Sequence, residues 1–318
     1  MTTDSSSRPA PPPHAPETGW AARLLGDYHV TGLVWYRLHR WAAARVPDWA
    51  MRPLVAVFTA AFFVLIGNIR RAVASNLEAV LGPCGFLERQ RRAFRTLHTF
   101  AWCLTERYER LATSRPFHVD VEAMEHWHAA TESRRGFIMV TAHLGLYEVG
   151  SMVPAAREAR RVHLVREPEV DPRAQAFIRS TVAAVEGANY TMHFQDGDPM
   201  LGVALVEALA RGEIVAIQGD RPRSGGRNVP ATLFGRPFEV PAGPAALART
   251  AEVPLLPVFA VREGRRRFRL VFRPPIAVPR TRDRNADLAT ATQAMVAEIE
   301  AAIRRTPHQW FVFRRLWK

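Results

Sequence analysis

The segment FIMVTAHLGLYEVG, residues 137 to 150, sets a histidine directly after an apolar run and a glutamate five residues beyond it. A neutral imidazole takes a proton from a hydroxyl, and a carboxylate on its other nitrogen fixes the tautomer and stabilises the imidazolium. His143 is therefore a candidate general base and Glu148 its candidate partner, with Gly145 between them to let the chain turn. Residues five apart do not share a face of one continuous helix. The pairing therefore requires His143 in the turn and Glu148 in the first turn of a helix that follows.

The spacing is weak when taken alone. With 30 acidic residues and 11 histidines in 318, roughly one such match arises by accident. The chain holds a second, His193 to Asp198, but it falls in a polar turn with no helix to orient the acid, so context favours His143. A further block, IQGDRPRSGGRNVPATLFGRPFEVPAGPAALA (217 to 248), reads as the end of a strand and a long Gly/Pro-rich loop carrying Asp220, Arg221, Arg223 and Arg227. Loops of that length in a compact domain are usually functional or disordered. Guanidinium groups clamp phosphate or carboxylate bidentately, although an ordinary solvated basic loop has the same composition.

The elements that must position these residues change character along the chain. Residues 19 to 112 read as helices, with apolar positions recurring at three and four. From about 113, short apolar runs at 137–142, 162–165, 213–218, 254–261 and 268–272 alternate with helical stretches near 146–158, 173–186, 199–211, 243–251 and 286–305. That alternation predicts an α/β fold, a mostly parallel sheet flanked by helices, with its site at the strand ends. Three segments are expected: a disordered leader (1–18), a helical membrane-associating region (19–112) and the α/β domain (113–318).

The uncharged run Pro53 to Ile69 would reach about 26 Å as a helix, the short end of a bilayer core. Arginines flank it on both sides, so the positive-inside rule gives no orientation, and a helix dipping into one leaflet is favoured over a span. Trp20, Trp35, Trp41 and Trp49 suit head-group level, and they equally suit ordinary packing. The net charge of +13 is carried by arginines and a single lysine, Lys318; it favours nucleic acid, anionic lipid or an acidic protein without choosing among them. Cys84 and Cys103 form no CxxC pair and lie far from any histidine cluster, which predicts neither a disulfide framework nor a zinc site. No Ser or Cys sits in a nucleophile context, so no covalent enzyme intermediate is expected, and no metal or other cofactor.

Four blocks in order, AHLGLYEVG, GDRPRSGGRNVPATLFGRP, PAGPAALARTAEVPLLPVF and IEAAIRRTPHQWFVFRRLWK, resemble the bacterial lipid A biosynthesis (lauroyl/myristoyl) acyltransferases, within the lysophospholipid acyltransferase superfamily. The resemblance covers about residues 20 to 318 and implies a glycerolipid acyltransferase-like fold at the cytoplasmic face of the inner membrane. The implied reaction moves a fatty acyl chain from acyl carrier protein, or from coenzyme A, to a hydroxyl of a membrane glycolipid. It implies His143 as base, Glu148 as its partner, and Gly145, Asp220 and Arg221 as substrate-binding residues, with Arg166 where the family has an Arg after the next strand. Phe313 stands where relatives carry a His and Asp171 where they carry an Asn, which leaves another glycolipid or a phospholipid open as acceptor. An acyl-thioester hydrolase would use the same dyad. A basic protein that binds an anionic membrane without catalysis leaves the dyad unexplained, and no nucleic-acid motif is present.

Overall fold

The computed structural model describes residues 33–113, 115–132, 135–146, 160–168, 172–186, 189–195, 198–222 and 226–317. The expected leader and Glu148, with most of its predicted helix, lie outside the described residues. Four helices come first: α1 (Leu33–Arg45), α2 (Asp48–Leu65), α3 (Gly67–Leu81) and α4 (Phe86–Ala112). Helices α1, α2 and α3 all pack on α4.

A mixed sheet of seven strands follows: β1 (His118–Glu122), β2 (Phe137–Thr141), β3 (Val162–Arg166), β4 (Tyr190–Phe194), β5 (Ile214–Gln218), β8 (Leu255–Gly264) and β9 (Arg267–Phe272). Their order is β1-β9-β8-β2-β5-β3-β4, and every pairing is parallel except β8 with β9. Around the sheet lie α5 (Met124–Thr131), α6 (Pro172–Glu186), α7 (Leu201–Ala210), α8 (Gly243–Ala251) and α9 (Arg284–Arg305). β2 is buried at all five positions, as a central parallel strand covered on both faces must be. The α/β class with a mostly parallel sheet agrees with the alternation of runs in the sequence.

Two expectations need correction. The Gly/Pro-rich block after Gln218 is not one long loop. Residues Asn228–Leu233 (β6) and Arg236–Pro241 (β7) form an antiparallel hairpin, closed by Phe234 and Gly235, both at positive φ. Nor is Pro53 to Ile69 one helix. The chain breaks at Ile66 (φ −103°, ψ 66°), so the uncharged stretch inside α2 is Pro53 to Leu65, about 20 Å long. By length and composition alone, α2 is the one helix among the described residues that could cross a membrane.

The helical region is tied to the sheet through a buried ion-pair cluster. Glu106 of α4, fully buried, accepts from Arg262 Nε at 2.7 Å and from the backbone N–H of Arg266 at 2.9 Å. Glu109 pairs with Arg265, Arg266 and Arg115, and Asp48 at the start of α2 joins the same arginines. The β8–β9 turn thereby clamps α2 and α4 in place.

Candidate active site

The register of β2 and β5 builds the site. Thr141 lies opposite Gln218 at the end of this parallel pair, and the N–H of Gly219 continues the ladder to the carbonyl of Thr141 at 2.9 Å. Two residues further along each chain, His143 and Asp220 emerge side by side at the C-terminal edge of the sheet, where ligand sites of open α/β sheets form. His143 Nδ1 lies 2.7 Å from Asp220 Oδ1, and the backbone N–H of His143 donates to Oδ2 at 3.0 Å. Trp310 Nε1 adds a third donor to Oδ2 at 3.2 Å.

Asp220 is 1% exposed. Burial pushes its carboxyl up, but the charge and hydrogen bond of His143, the Arg221 guanidinium and the His143 amide outweigh that and hold it at about 2. Burial also pushes His143 down; Asp220 opposes this, and Arg221 adds to the lowering. The ring is therefore neutral near pH 7. Its carboxylate partner assigns the proton to Nδ1, which makes Nε2 the basic nitrogen.

The C-terminal segment secures this pair. After α9, a short turn of 3₁₀ helix (Pro307–Gln309) leads into Trp310 and Phe311. The N–H of Phe311 donates to the carbonyl of His143 at 2.7 Å, and the N–H of Gly145 to the carbonyl of Gln309 at 2.9 Å. The side-chain amide of Gln309 bonds both backbone groups of Arg262, at 2.8 Å each, so it stands in for a strand partner at that point of β8. Asn76 of α3, buried, ties down the end of the tail through the carbonyls of Val312 and Arg314 and the N–H of Leu316.

Apart from Glu148 and Arg223, which lie outside the described residues, the candidates named from the sequence can be placed. Gly145 has φ +58°, and a Cβ there would stand 2.1 Å from the carbonyl oxygen of Ala260, so only glycine lets the His143 turn approach β8 this closely. Arg221 donates from Nη2 to the carbonyl of Phe311 at 2.6 Å. Arg166 closes β3 and lines the cavity described next. Asp220, expected on a substrate loop, is the hydrogen-bond partner of His143. Gln309, Trp310 and Asn76 are not singled out by any spacing in the sequence; the tail containing the first two stands out there only as part of a family block. His193 lies elsewhere, on β4, bonded through Nε2 to His163 Nδ1 at 2.9 Å.

His143, Asp220, Arg166 and Arg221 line a cavity of about 1120 Å³. Much of the remaining wall is apolar: α1, α2 and α4 contribute residues including Met51, Val55, Phe62 and Leu104, and α7, α8 and the C-terminal tail contribute Leu205, Leu247 and Phe311. The volume suits a substrate with a long apolar part. Among the described residues, no group of three or more His, Cys, Asp or Glu side chains is arranged to hold a metal ion. A largely buried neutral imidazole oriented by a carboxylate, in the wall of a largely apolar cavity, is equipped to deprotonate a hydroxyl beside a long hydrocarbon chain.

The family model of bacterial lipid A biosynthesis acyltransferases matches residues 25–318. The chain belongs to that family. Comparison with individual curated proteins returns no match. Membership of the lipid A acyltransferases makes the protein an enzyme of acyl transfer with a lipid A-like acceptor.

Proposed function

We propose that this acyltransferase carries a fatty acyl chain from acyl carrier protein to a hydroxyl of a lipid A-like glycolipid at the cytoplasmic face of the inner membrane, with His143 as general base and Asp220 as the group that orients it. The observation that carries this reading is the His143–Asp220 pair in the wall of the largely apolar cavity. Nε2 takes the proton of the acceptor hydroxyl as the oxygen attacks the thioester carbonyl. The C–O bond forms, the C–S bond breaks, and the imidazolium returns its proton to the departing thiolate. Arg166 and Arg221 supply positive charge for an anionic acceptor. Glu148 remains a second candidate carboxylate for this chemistry.

Membrane association through α2 fits a helix lying in one leaflet. The whole helix reaches about 27 Å, but its uncharged part only about 20 Å against a hydrocarbon core of about 30 Å, and its inner face packs on α4 through Met51, Val55 and Thr59. The test is incubation of the enzyme with labelled acyl carrier protein thioester and a lipid A precursor. Label in the glycolipid supports acyl transfer, label as free fatty acid means a thioester hydrolase, and absence of turnover overturns the reading.

A further inference from the structure

The cavity that His143 lines is also lined by α1 and α2, and four of these lining residues are among the exposed large apolar side chains: Leu38 and Trp41 of α1, and Leu54 and Phe58 of α2. Both helices pack on α4, whose Phe100, Ala101 and Leu104 line the same cavity and are taken as its floor beneath them. On α2 only Met51, Val55 and Thr59 are buried. Leu54 and Phe58 border that inner stripe, while Trp49, Val57, Val64 and Leu65 point outward at 65 to 79% exposure. The apolar lining of the cavity is thus continuous along α2 with an exposed apolar face.

The charges around the opening indicate what it faces. Arg40, Arg45 and Arg52 are exposed on the same two helices; the Arg45 guanidinium lies over the Trp41 ring and that of Arg40 over the Phe177 ring, each at 5.9 Å. Arginine and tryptophan around exposed aliphatic side chains match the head-group level of an anionic leaflet. The route matters energetically as well. A lipid whose hydroxyl must reach His143 would expose its chains if it came through water, at about 0.8 kcal/mol per CH₂. A side entrance at bilayer level keeps those chains in apolar surroundings throughout.

We propose that the cleft between α1 and α2 is a lateral portal through which a hydrocarbon chain of a leaflet lipid enters the cavity. Its destination at His143 rests on the acyl-transfer reading; the entry itself does not. The full-length protein would be bound to phosphatidylethanolamine/phosphatidylglycerol vesicles containing a phospholipid with a diazirine on one acyl chain, irradiated, and mapped by mass spectrometry. Adducts on the floor at Phe100 to Leu104, together with Leu54 or Phe58, are expected. Adducts confined to the outward residues Val57, Val64 and Leu65, or no adducts on α1 to α4, would overturn the portal. Leu54→Glu places a charge at the lip and should lower floor labelling about tenfold while leaving outward labelling unchanged. Equal loss at both places would mean the variant has left the membrane and would remove the lip from the entry route. If the floor is labelled only by a diazirine-acylated carrier protein added from solution, the chain comes from the donor and the portal is refuted. Because labelling needs no turnover, a failed transfer assay and a failed portal are separate results.

Discussion

His143 Nδ1 and Asp220 Oδ1 lie 2.7 Å apart although 77 residues separate them in the chain. The contact follows from strand register: β2 and β5 are parallel neighbours, and each side chain sits two residues past the last paired position. Asp220 also accepts from the His143 amide and from Trp310, so the carboxylate is held by three donors before any substrate arrives.

If Asp220 is the orienting group, Asp220→Asn will lower kcat by about a hundredfold or more, because the amide neither fixes the Nδ1–H tautomer nor stabilises the imidazolium. Glu148→Gln will then cost little. The reverse ranking, measured in the carrier-protein transfer assay with folding checked by circular dichroism, would give the role to Glu148. His143→Ala should abolish transfer and His193→Ala should not, since His193 bonds His163 on the β3–β4 pair.

The sequence carried the class of the fold because buried parallel strands are written as uninterrupted apolar runs, and β2, β5 and β8 are such runs. It did not carry β6 and β7, whose prolines and neighbouring glycines resemble a loop and whose pairing depends on a turn with Phe234 at positive φ. His143 was legible from its place after a strand. Its contact with Asp220 was not, because no local spacing encodes the neighbour of a strand in a parallel sheet. Trp310 was hidden for the same reason: its indole acts on a carboxylate 90 residues away.

Acidification should impair both activity and stability, in the same direction. His143 is held below its ordinary 6.5 mainly by burial, so the neutral base persists below that pH, and kcat/KM should reach its plateau before about pH 6.5. Burial, then Arg95, Arg92 and Arg91, push His308 down to about 4. A group with a lowered folded-state pKa contributes stability that is complete above its unfolded value and is lost as pH falls through the folded one. For His308 that window runs from about 6.5 down to about 4. Thermal unfolding followed across this range should show Tm falling, and the fall should be smaller in His308→Asn. An unchanged slope in that variant would remove His308 from the account.

The clamp between the helices and the sheet predicts non-additive stability changes. Arg262→Leu leaves Glu106 buried with one hydrogen-bonded guanidinium fewer, which should cost about 3 kcal/mol, the low end for a broken buried pair because Arg265 Nη1 remains 3.5 Å away. Replacing both partners, Arg262→Leu with Glu106→Leu, should recover a substantial part of that loss, because no uncompensated charge remains. Denaturant unfolding of the two single variants and the double variant checks this. Strict additivity would mean that Glu106 draws little from Arg262.

The donor can be tested through the field of the whole chain. Acyl carrier proteins are small and strongly acidic, so a net charge of +13 should speed their encounter at low ionic strength, and salt should slow it steeply. A coenzyme A thioester is anionic too, but its charge is confined to a few phosphates and averages over less of the surface. The kcat/KM for the carrier-protein donor should therefore fall by about tenfold between low and physiological salt, as steered associations do. With the coenzyme A donor of the same chain length the fall should be visibly shallower. Matching salt slopes, or a higher kcat/KM for coenzyme A at physiological salt, would dismiss acyl carrier protein as the donor. The His143 chemistry would remain, because the proton transfer at Nε2 is the same whichever thiol departs.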